Sequence, residues 1–194
     1  MAKPCAKLLF VSLEHWDDVW RRNQFLAVRL QRDFQVTFLG PQLPFWRFFC
    51  RKRRNFQQIN IRYVYKFLPD RFFPRLNRWL YALQYPRKTD TLWINDHAKW
   101  FLLEAVRYRT SVYDITDDWT LVDTTAIGPD RFLCQAADTV IVCSQGLLRS
   151  RRKLTKNIIL IKNGINLRDY SFRRATRKYF LYTGSLHEDR KSVV

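Results

Sequence analysis

The sequence predicts an α/β fold with a doubly wound, mostly parallel sheet, and two observations support that prediction. Short apolar segments alternate with longer amphipathic ones along most of the 194 residues, which is the order of a strand–helix–strand chain. Several short segments are almost continuously apolar, as strands are when helices cover both faces of a parallel sheet. In such sheets ligands lie at the carboxyl ends of the strands, so the loops there hold the candidate site.

The predicted elements follow one another with short connections. Each predicted strand is a short apolar run, and each predicted helix repeats apolar residues at intervals of three or four. The predicted strands are 7–12, 35–40, 59–65, 91–95, 111–116, 138–144 and 157–164, and the predicted helices are 17–32, 74–84, 97–108, 129–137 and 145–154.

Local signals refine this outline. Asp17 and Asp18 are expected at the N-terminal end of the first helix, where the helix dipole favours carboxylates. Gly40 and Pro41 predict a turn after the second strand, and residues 41–56 interrupt the alternation. Gly164 turns the chain after the last strand of the sheet and is a candidate for a left-handed backbone conformation.

Charge and cysteine usage narrow the class of protein. The chain has 35 Lys and Arg against 17 Asp and Glu, a formal net charge of +18, which attracts polyanions. Its cysteines (Cys5, Cys50, Cys134 and Cys143) form no CxxC pair, so we expect buried free thiols rather than a zinc site or a disulfide framework. No signal peptide and no run of about 20 apolar residues is visible, so we expect no transmembrane helix.

Four segments resemble, in order and spacing, the N-terminal half of a GT-B glycosyltransferase of the family 4 (group 1) type. "SLEHWDDVWRRNQFLAVRL" (12–30) resembles its first strand–loop–helix unit, and "VYDITDDW" (112–119) resembles a Y-D-x-x-D-[DE]-W/H element. "AADTVIVCSQGLL" (136–148) with "IILIKNGIN" (158–166) resembles the pair that precedes the interdomain linker. "YTGSLHEDR" (182–190) resembles the opening of the C-terminal domain.

The resemblance implies a domain division. Residues 1–167 would form the Rossmann-like, acceptor-side N-terminal domain, 168–178 a linker, and 179–194 the start of a truncated C-terminal donor domain, contributing one orphan strand. In this family the C-terminal domain supplies most of the nucleotide-sugar site, including two glutamates seven residues apart, which are not found after Arg190. We therefore expect no transferase turnover from this chain alone.

The resemblance also implies an activity and a set of site residues. Such enzymes transfer a sugar from a nucleotide-sugar donor to a saccharide or lipid-linked acceptor in cell-surface polysaccharide or glycolipid assembly, without a metal ion or another cofactor. His97 and Asp117 are the predicted catalytic residues. The predicted substrate-binding residues are His15, Trp16, Arg21, Gln24, Asn95, Asp96, Asp118 and Ser144.

Structural roles are open for the same residues. Asp96 can cap a helix with His97 in its first turn, and Asp117 and Asp118 can cap the following loop. Two adjacent carboxylates can also raise one pKa and act as a base. Ser144 opens a helix at a strand end, which is a geometry that binds phosphate. Arg21 and Gln24 either reach the cleft or fix the loop to the helix.

A basic aromatic segment, "PFWRFFCRKRRNF" (44–56), predicts contact with an anionic membrane. Aromatic rings that enter the interface beside Lys and Arg describe a monotopic contact. The protein would then be cytoplasmic and peripheral at the inner face of the cell membrane. The alternative is that the rings pack on the sheet. The predicted contact residues are Phe45, Trp46, Phe48, Phe49, Arg51, Lys52, Arg53 and Arg54.

Two other functions remain open at this stage. The charge and the interleaved aromatics also suit RNA, although no RRM, KH or helix-turn-helix signature accompanies them, so nucleic acid is the less favoured partner. The second alternative is a non-catalytic remnant of a transferase.

Overall fold

A computed structural model describes residues 6–49, 54–67, 72 and 74–164. The strands are β1 Ala6–Val11, β2 Phe34–Pro44, β3 Arg54–Phe56, β4 Ile59–Lys66, β5 Thr91–Ile94, β6 Thr110–Ile115, β7 Thr139–Val142 and β8 Ile158–Leu160. The α-helices are α1 Arg22–Leu30, α2 Pro74–Gln84, α3 Leu102–Ala105, α4 Ile127–Ala136 and α5 Gln145–Arg151. Short 3-10 turns cover Phe45–Phe49, His97–Lys99, Trp119–Leu121 and Thr124–Ala126.

The strands form one eight-stranded sheet in the order β3-β4-β2-β1-β5-β6-β7-β8. Every neighbouring pair is parallel except β3 with β4. The predicted α/β class with a mostly parallel sheet is thus confirmed, and the arrangement is compatible with a Rossmann-like fold. The predicted linker at 168–178 and the predicted strand of a second domain lie outside the described residues.

Alternation along β1 explains the two apolar layers. Leu8 and Phe10 point to the face that α1 covers, where they pack with Val36, Phe38 and other apolar side chains. Leu9 and Val11 point to the opposite face, in a second core with Leu39, Leu92 and side chains from α3, α4 and α5. Because both faces are covered, the strand must be apolar at successive positions, as its sequence is.

Three predicted helices are shorter than their periodicity indicated, and the one predicted over 145–154 ends at Arg151. The first begins at Arg22 rather than at residue 17, because the backbone N–H of Arg21 donates to Gln24 Oε1 at 3.0 Å. Asp17 and Asp18 therefore lie in the preceding loop, not in a helical first turn. The helix predicted over 97–108 is a 3-10 turn followed by α3, which ends at Ala105 because Arg107 bonds to the chain before β5.

The turn predicted at Gly40 and Pro41 is instead a bulge inside β2. Leu39 pairs with Arg62 and Gln42 pairs with Val64, so two residues of β2 oppose one of β4. Beyond the bulge the strand continues to Pro44. The edge strand β3, which the sequence pattern did not indicate, pairs antiparallel with β4 through a turn in which Gln57 has φ of 54°. Gly164 does not have a positive φ, so its predicted left-handed conformation is wrong.

A search of the described helices finds none that is both long enough and apolar enough to cross a bilayer.

Candidate functional site

The candidate site lies at the carboxyl ends of β1, β5 and β6. In the sheet, β1 and β5 are neighbours, β2 lies beyond β1, and β6 lies beyond β5. The chain therefore leaves β1 and β5 in opposite directions. Loops that diverge in this way open a crevice, which is where doubly wound sheets bind ligands. The loops concerned follow Val11, Ile94 and Ile115.

A pair of buried amides joins these loops. Asn23 Nδ2 on α1 donates to Asn95 Oδ1 after β5 at 2.6 Å and to Ser12 Oγ after β1 at 3.1 Å. Asn95 Nδ2 donates to the backbone oxygen of Asp114 at 2.9 Å. Both asparagines are almost fully buried, so the amides hold the loops at fixed spacing and Asn95 has little surface to offer a ligand.

Arg22 and Asp114 form a second link below the cleft. Arg22 donates through Nε and Nη2 to the two carboxylate oxygens of Asp114 at 3.3 and 3.2 Å. Its Nη1 donates to the backbone oxygen of Ile161 and to Asn163 Oδ1, both at 3.1 Å. Complete burial raises the pKa of Asp114, and the Arg22 guanidinium opposes that shift. One guanidinium thereby joins α1, β6 and the segment after β8.

The predicted site residues in the loop after β1 and at the start of α1 lie in different environments. Trp16 is 2% exposed and packs in the core, with its ring centroid 4.9 Å from that of Phe38. Gln24 is also buried, and its Nε2 donates to the backbone oxygen of His15 at 2.9 Å. Arg21 is exposed and pairs with Glu14 at 3.4 Å. Gln24 thus fixes the loop to α1, which is one of the two roles that the sequence left open.

Glu14 and Asp117 bring two carboxylates to the cleft from different loops. Burial raises the pKa of Glu14, Arg21 opposes the shift, and the charges of Asp117 and Asp18 raise it further. The backbone N–H of Glu14 donates to Ser12 Oγ at 2.9 Å, which orients the loop. Asp117 is exposed, immediately beyond the end of β6. Glu14 can therefore hold a proton more readily than an ordinary glutamate.

His97 lies in the loop after β5. Its ring centroid is 6.0 Å from that of Trp119, two residues after Asp117. Its Nδ1 is shielded from solvent and has no hydrogen-bond partner among the described residues. Asp96 accepts from the backbone N–H of Ala98 at 2.9 Å and pairs with Lys99 at 3.5 Å. Asp96 is thus the cap that the sequence allowed, and His97 keeps an uncommitted imidazole nitrogen.

Asp118 points away from Asp117 into an ionic network. Arg151 on α5 donates from Nη2 to Asp118 Oδ1 at 2.6 Å, and its Nε lies 2.9 Å from Asp130 Oδ2. Tyr113 donates to Asp130 Oδ1 at 2.8 Å. Burial acts to raise the pKa of Asp118, but hydrogen bonds from Arg151 and Thr120 outweigh it and the pKa is lowered. The adjacent aspartates therefore face different environments.

Ser144, the remaining predicted contact, caps α5. Its Oγ accepts from the backbone N–H of Leu147 at 3.2 Å, so the hydroxyl already satisfies a helix terminus. The seven residues of α5 follow directly.

Sequence reasoning missed the side chains that hold the site together. Asn23, Arg22 and Arg151 were assigned only to helices, and their partners are as far as 141 residues away along the chain. A signal was available for Asp114, which interrupts the apolar run of β6 and so needed a buried partner.

The described residues include no group of three or more His, Cys, Asp or Glu side chains placed to hold a metal ion.

Comparisons with known proteins leave the family open. No family model matches the chain. No curated protein matches it. Fold and site together define the class as an α/β protein with a mostly parallel sheet and a polar cleft at its carboxyl edge.

Replacing Arg151 tests the ionic network. Arg151→Met leaves Asp118 and Asp130 without their cation, so we expect the free energy of unfolding to fall by about 3–5 kcal/mol in urea denaturation. Arg152→Met is the matched control, because Arg152 is exposed, and should change the free energy by no more than about 0.5 kcal/mol. Equal effects of the two substitutions would show that the network does not stabilise the fold.

Acid titration tests Asp118 itself. Its folded pKa lies below the ordinary value of 3.8, so its ionised form stabilises the fold at neutral pH and that contribution disappears as pH falls through the folded pKa. The difference in unfolding free energy between the wild type and Asp118→Asn should be constant near neutral pH and shrink below about pH 4. A difference that persists unchanged to about pH 2 would contradict the assignment.

Proposed function

We propose that this chain contains the acceptor-side domain of a GT-B glycosyltransferase, which transfers a sugar with retention from a nucleotide-sugar donor to a saccharide or lipid-linked acceptor. One observation carries the proposal: Glu14, His97 and Asp117 lie on three loops at the carboxyl edge of the sheet, around the point where the loops diverge, and the charge of Asp117 is close enough to raise the pKa of Glu14. Donor binding is assigned to a second domain of the kind that the resemblance implies.

The chemistry requires an acceptor hydroxyl to be oriented and relieved of its proton. In the transfer, the bond from the anomeric carbon to the donor diphosphate breaks and a bond to the acceptor oxygen forms. The acceptor proton must pass to a nearby base. Asp117 is an exposed carboxylate at this place, and the partly buried Glu14 can retain a proton.

His97 suits an orienting role in this scheme. Its Nδ1 lacks a partner within the described structure, and a buried polar atom without a partner gains free energy when a ligand supplies one. The neighbouring ring of Trp119, 6.0 Å away, offers an aromatic face against which a sugar ring can pack. The fixed amides of Asn23 and Asn95 keep the loop that carries His97 in place.

Acceptor binding by the purified chain tests this proposal. Isothermal titration with a panel of oligosaccharides and lipid-linked oligosaccharides in neutral detergent should identify a ligand, and His97→Ala and Asp117→Asn should each weaken its binding at least tenfold. Such a change corresponds to about 1.4 kcal/mol, the range of one lost hydrogen bond. Thermal unfolding should be nearly unchanged in both variants.

Glu104→Gln is the matched control, because Glu104 is an exposed carboxylate on α3. Binding that falls equally in this control would remove the cleft from the mechanism. Binding of random RNA in place of any saccharide would favour the nucleic-acid alternative that the charge of +18 leaves open.

The second part of the proposal is a peripheral site on the inner face of the cell membrane. Helix α2 supports it, because several of its apolar side chains point outward. Leu76, Trp79 and Leu83, with Phe72 just before the helix, are between 43% and 70% exposed and recur at helical spacing. Asn77 is instead completely buried.

Polar contacts attach this helix to the sheet. Gln84 Oε1 accepts from the backbone N–H of Tyr65 at 2.9 Å, and Gln84 Nε2 donates to the backbone oxygen of Tyr65 at 3.0 Å. The Gln84 amide thus makes two hydrogen bonds to the backbone of β4, as a neighbouring strand would. The exposed apolar side chains of α2 remain at the surface. An exposed apolar helix face on a basic protein is typical of attachment to an anionic interface.

Two aromatic side chains of the segment predicted to touch the membrane also support the proposal. Phe45 and Trp46 are 48% and 64% exposed, so neither is packed into the core as the alternative required. The side chains of Phe48, Phe49 and Arg54 and the residues Arg51, Lys52 and Arg53 lie outside the described part, and their predicted contact stays a prediction.

Vesicle co-sedimentation tests the membrane proposal. The chain should bind vesicles that contain anionic phospholipid and not neutral phosphatidylcholine vesicles, and the double variant Trp79→Ser, Leu83→Ser should weaken binding by tenfold or more. The reason is that burying each such side chain contributes about 1.5–3 kcal/mol. Leu121→Ser is the control, because Leu121 is 83% exposed but belongs to the cleft loop. Binding that ignores anionic lipid content would refute the proposal.

A further inference from the structure

The loop between β6 and α4, residues 116–126, carries apolar side chains at the surface. Leu121 and Val122 are 83% and 74% exposed, and Ile127 at the start of α4 is half exposed. Of the residues from 119 to 127, only Ala126 is buried. Apolar side chains that are exposed together indicate a surface for binding rather than for solvent.

Hydrogen bonds hold this β6–α4 loop in one shape. The backbone N–H groups of Val122 and Asp123 donate to the backbone oxygen of Trp119 at 3.1 and 2.8 Å. Thr120 Oγ1 donates to Asp118 Oδ1 at 2.6 Å. The exposed apolar side chains therefore stand on a fixed turn, so a ligand that binds them loses little affinity in ordering the loop.

The β6–α4 loop adjoins His97. The ring centroid of Trp119 is 6.0 Å from that of His97. Hydrogen bonds from Thr125 lower the pKa of Asp123, and the charge of His97 lowers it further. A ligand bound at His97 therefore has this loop as its neighbour.

Charge distinguishes the β6–α4 loop from the proposed membrane contact. Residues 110–130 contain no Lys or Arg, although the whole chain has 35. Asp117 and Asp123 are exposed, one before and one after Leu121 and Val122 in the sequence. An anionic bilayer attracts basic segments and repels carboxylates, so the loop favours an uncharged apolar ligand.

The size of this surface argues against a protein partner. A stable protein interface takes about 20–30 residues from each side. The large apolar side chains exposed from 119 to 127 are far fewer, namely Trp119, Leu121, Val122 and Ile127. A single hydrocarbon chain needs only a few such side chains to leave water.

We propose that the β6–α4 loop binds the hydrocarbon chain of a glycolipid acceptor whose sugar lies at His97. This inference rests on the proposed glycosyl transfer and, within it, selects a lipid-linked acceptor over a free saccharide. Leu121 and Val122 contact the chain. Each methylene that leaves water in this contact increases the affinity about fourfold.

A series of alkyl β-glucosides from methyl to octyl, each below its critical micelle concentration, tests the proposal with the full chain. Binding is followed by NMR at the methyl groups of Val122 and Ile127, which report on this loop. We expect saturable shifts and an affinity that rises with chain length, by up to about fourfold per methylene. Leu121→Ser should weaken octyl glucoside binding about tenfold or more and leave methyl glucoside unaffected.

Leu83→Ser is the matched control, because Leu83 is an exposed leucine of α2, outside the loop. It should keep the wild-type dependence on chain length. An equal loss in both variants would show that the alkyl chain binds any exposed apolar side chain, and the proposal would be wrong. Self-association of the wild type, measured by sedimentation and lost in Leu121→Ser without any change in glucoside binding, would assign the loop to a second copy of the chain and also refute it.

The same experiment separates the lipid site from the transfer on which it rests. An affinity independent of chain length, with saccharide binding that still depends on His97, would overturn the lipid site and leave the proposed transfer standing. A chain-length dependence that Leu121→Ser removes, with no effect of His97→Ala on any glycoside, would support the hydrocarbon site and overturn the proposed transfer.

Discussion

The ion pair between Arg22 and Asp114 is the interaction on which the arrangement of the cleft depends. Asp114 puts a fully buried carboxylate inside an apolar strand, which costs several kcal/mol unless a cation and hydrogen bonds compensate. Arg22 supplies both from α1 and extends the same guanidinium to the chain after β8. Asn95 binds the backbone of Asp114 in turn. The loops around the cleft are therefore linked by hydrogen bonds, directly or through neighbouring residues, to one buried ion pair. A shift of α1 would move these loops together.

The adjacent aspartates at the end of "VYDITDDW", Asp117 and Asp118, also differ in whether an arginine binds them. Asp118 is ionised by its contacts with Arg151 and Thr120 and belongs to the network that joins α5 with α4 and β6. Asp117 is exposed, and its charge raises the pKa of Glu14. The two carboxylates follow the end of β6, and although their chemistry is identical, Asp118 binds Arg151 while Asp117 stays at the surface. Only Asp117 remains free to meet a ligand with its carboxylate.

Most strands could be predicted from the sequence, because a strand buried on both faces is a continuous run of apolar residues. Helix α2 also matches its predicted bounds of 74–84. It failed where a long-range contact decides the outcome. The start of α1 is set by the Gln24 contact with Arg21, not by the favourable aspartates before it. Periodicity predicted α2 but not that Leu76, Trp79 and Leu83 face outward, because a repeating pattern does not show which side of a helix packs on the sheet. The partners of Arg22 and Arg151 were likewise invisible, since pairing across tens of residues leaves no local pattern.

The bulge at Gly40 and Pro41 has a consequence for everything that follows in β2. Before the bulge, Leu39 pairs with Arg62, and after it Gln42 pairs with Val64 on the same face of the sheet. Even-numbered residues of β2 therefore point, after the bulge, to the face that odd-numbered residues occupied before it. Because side chains alternate with a period of two, removing a single residue here would exchange the two faces for the rest of the strand and turn the chain that leads to Phe45 and Trp46 over. The proline, which has no N–H to donate, prevents the ladder from closing across the bulge. The one extra residue of the bulge therefore determines on which side of the molecule Phe45 and Trp46 lie.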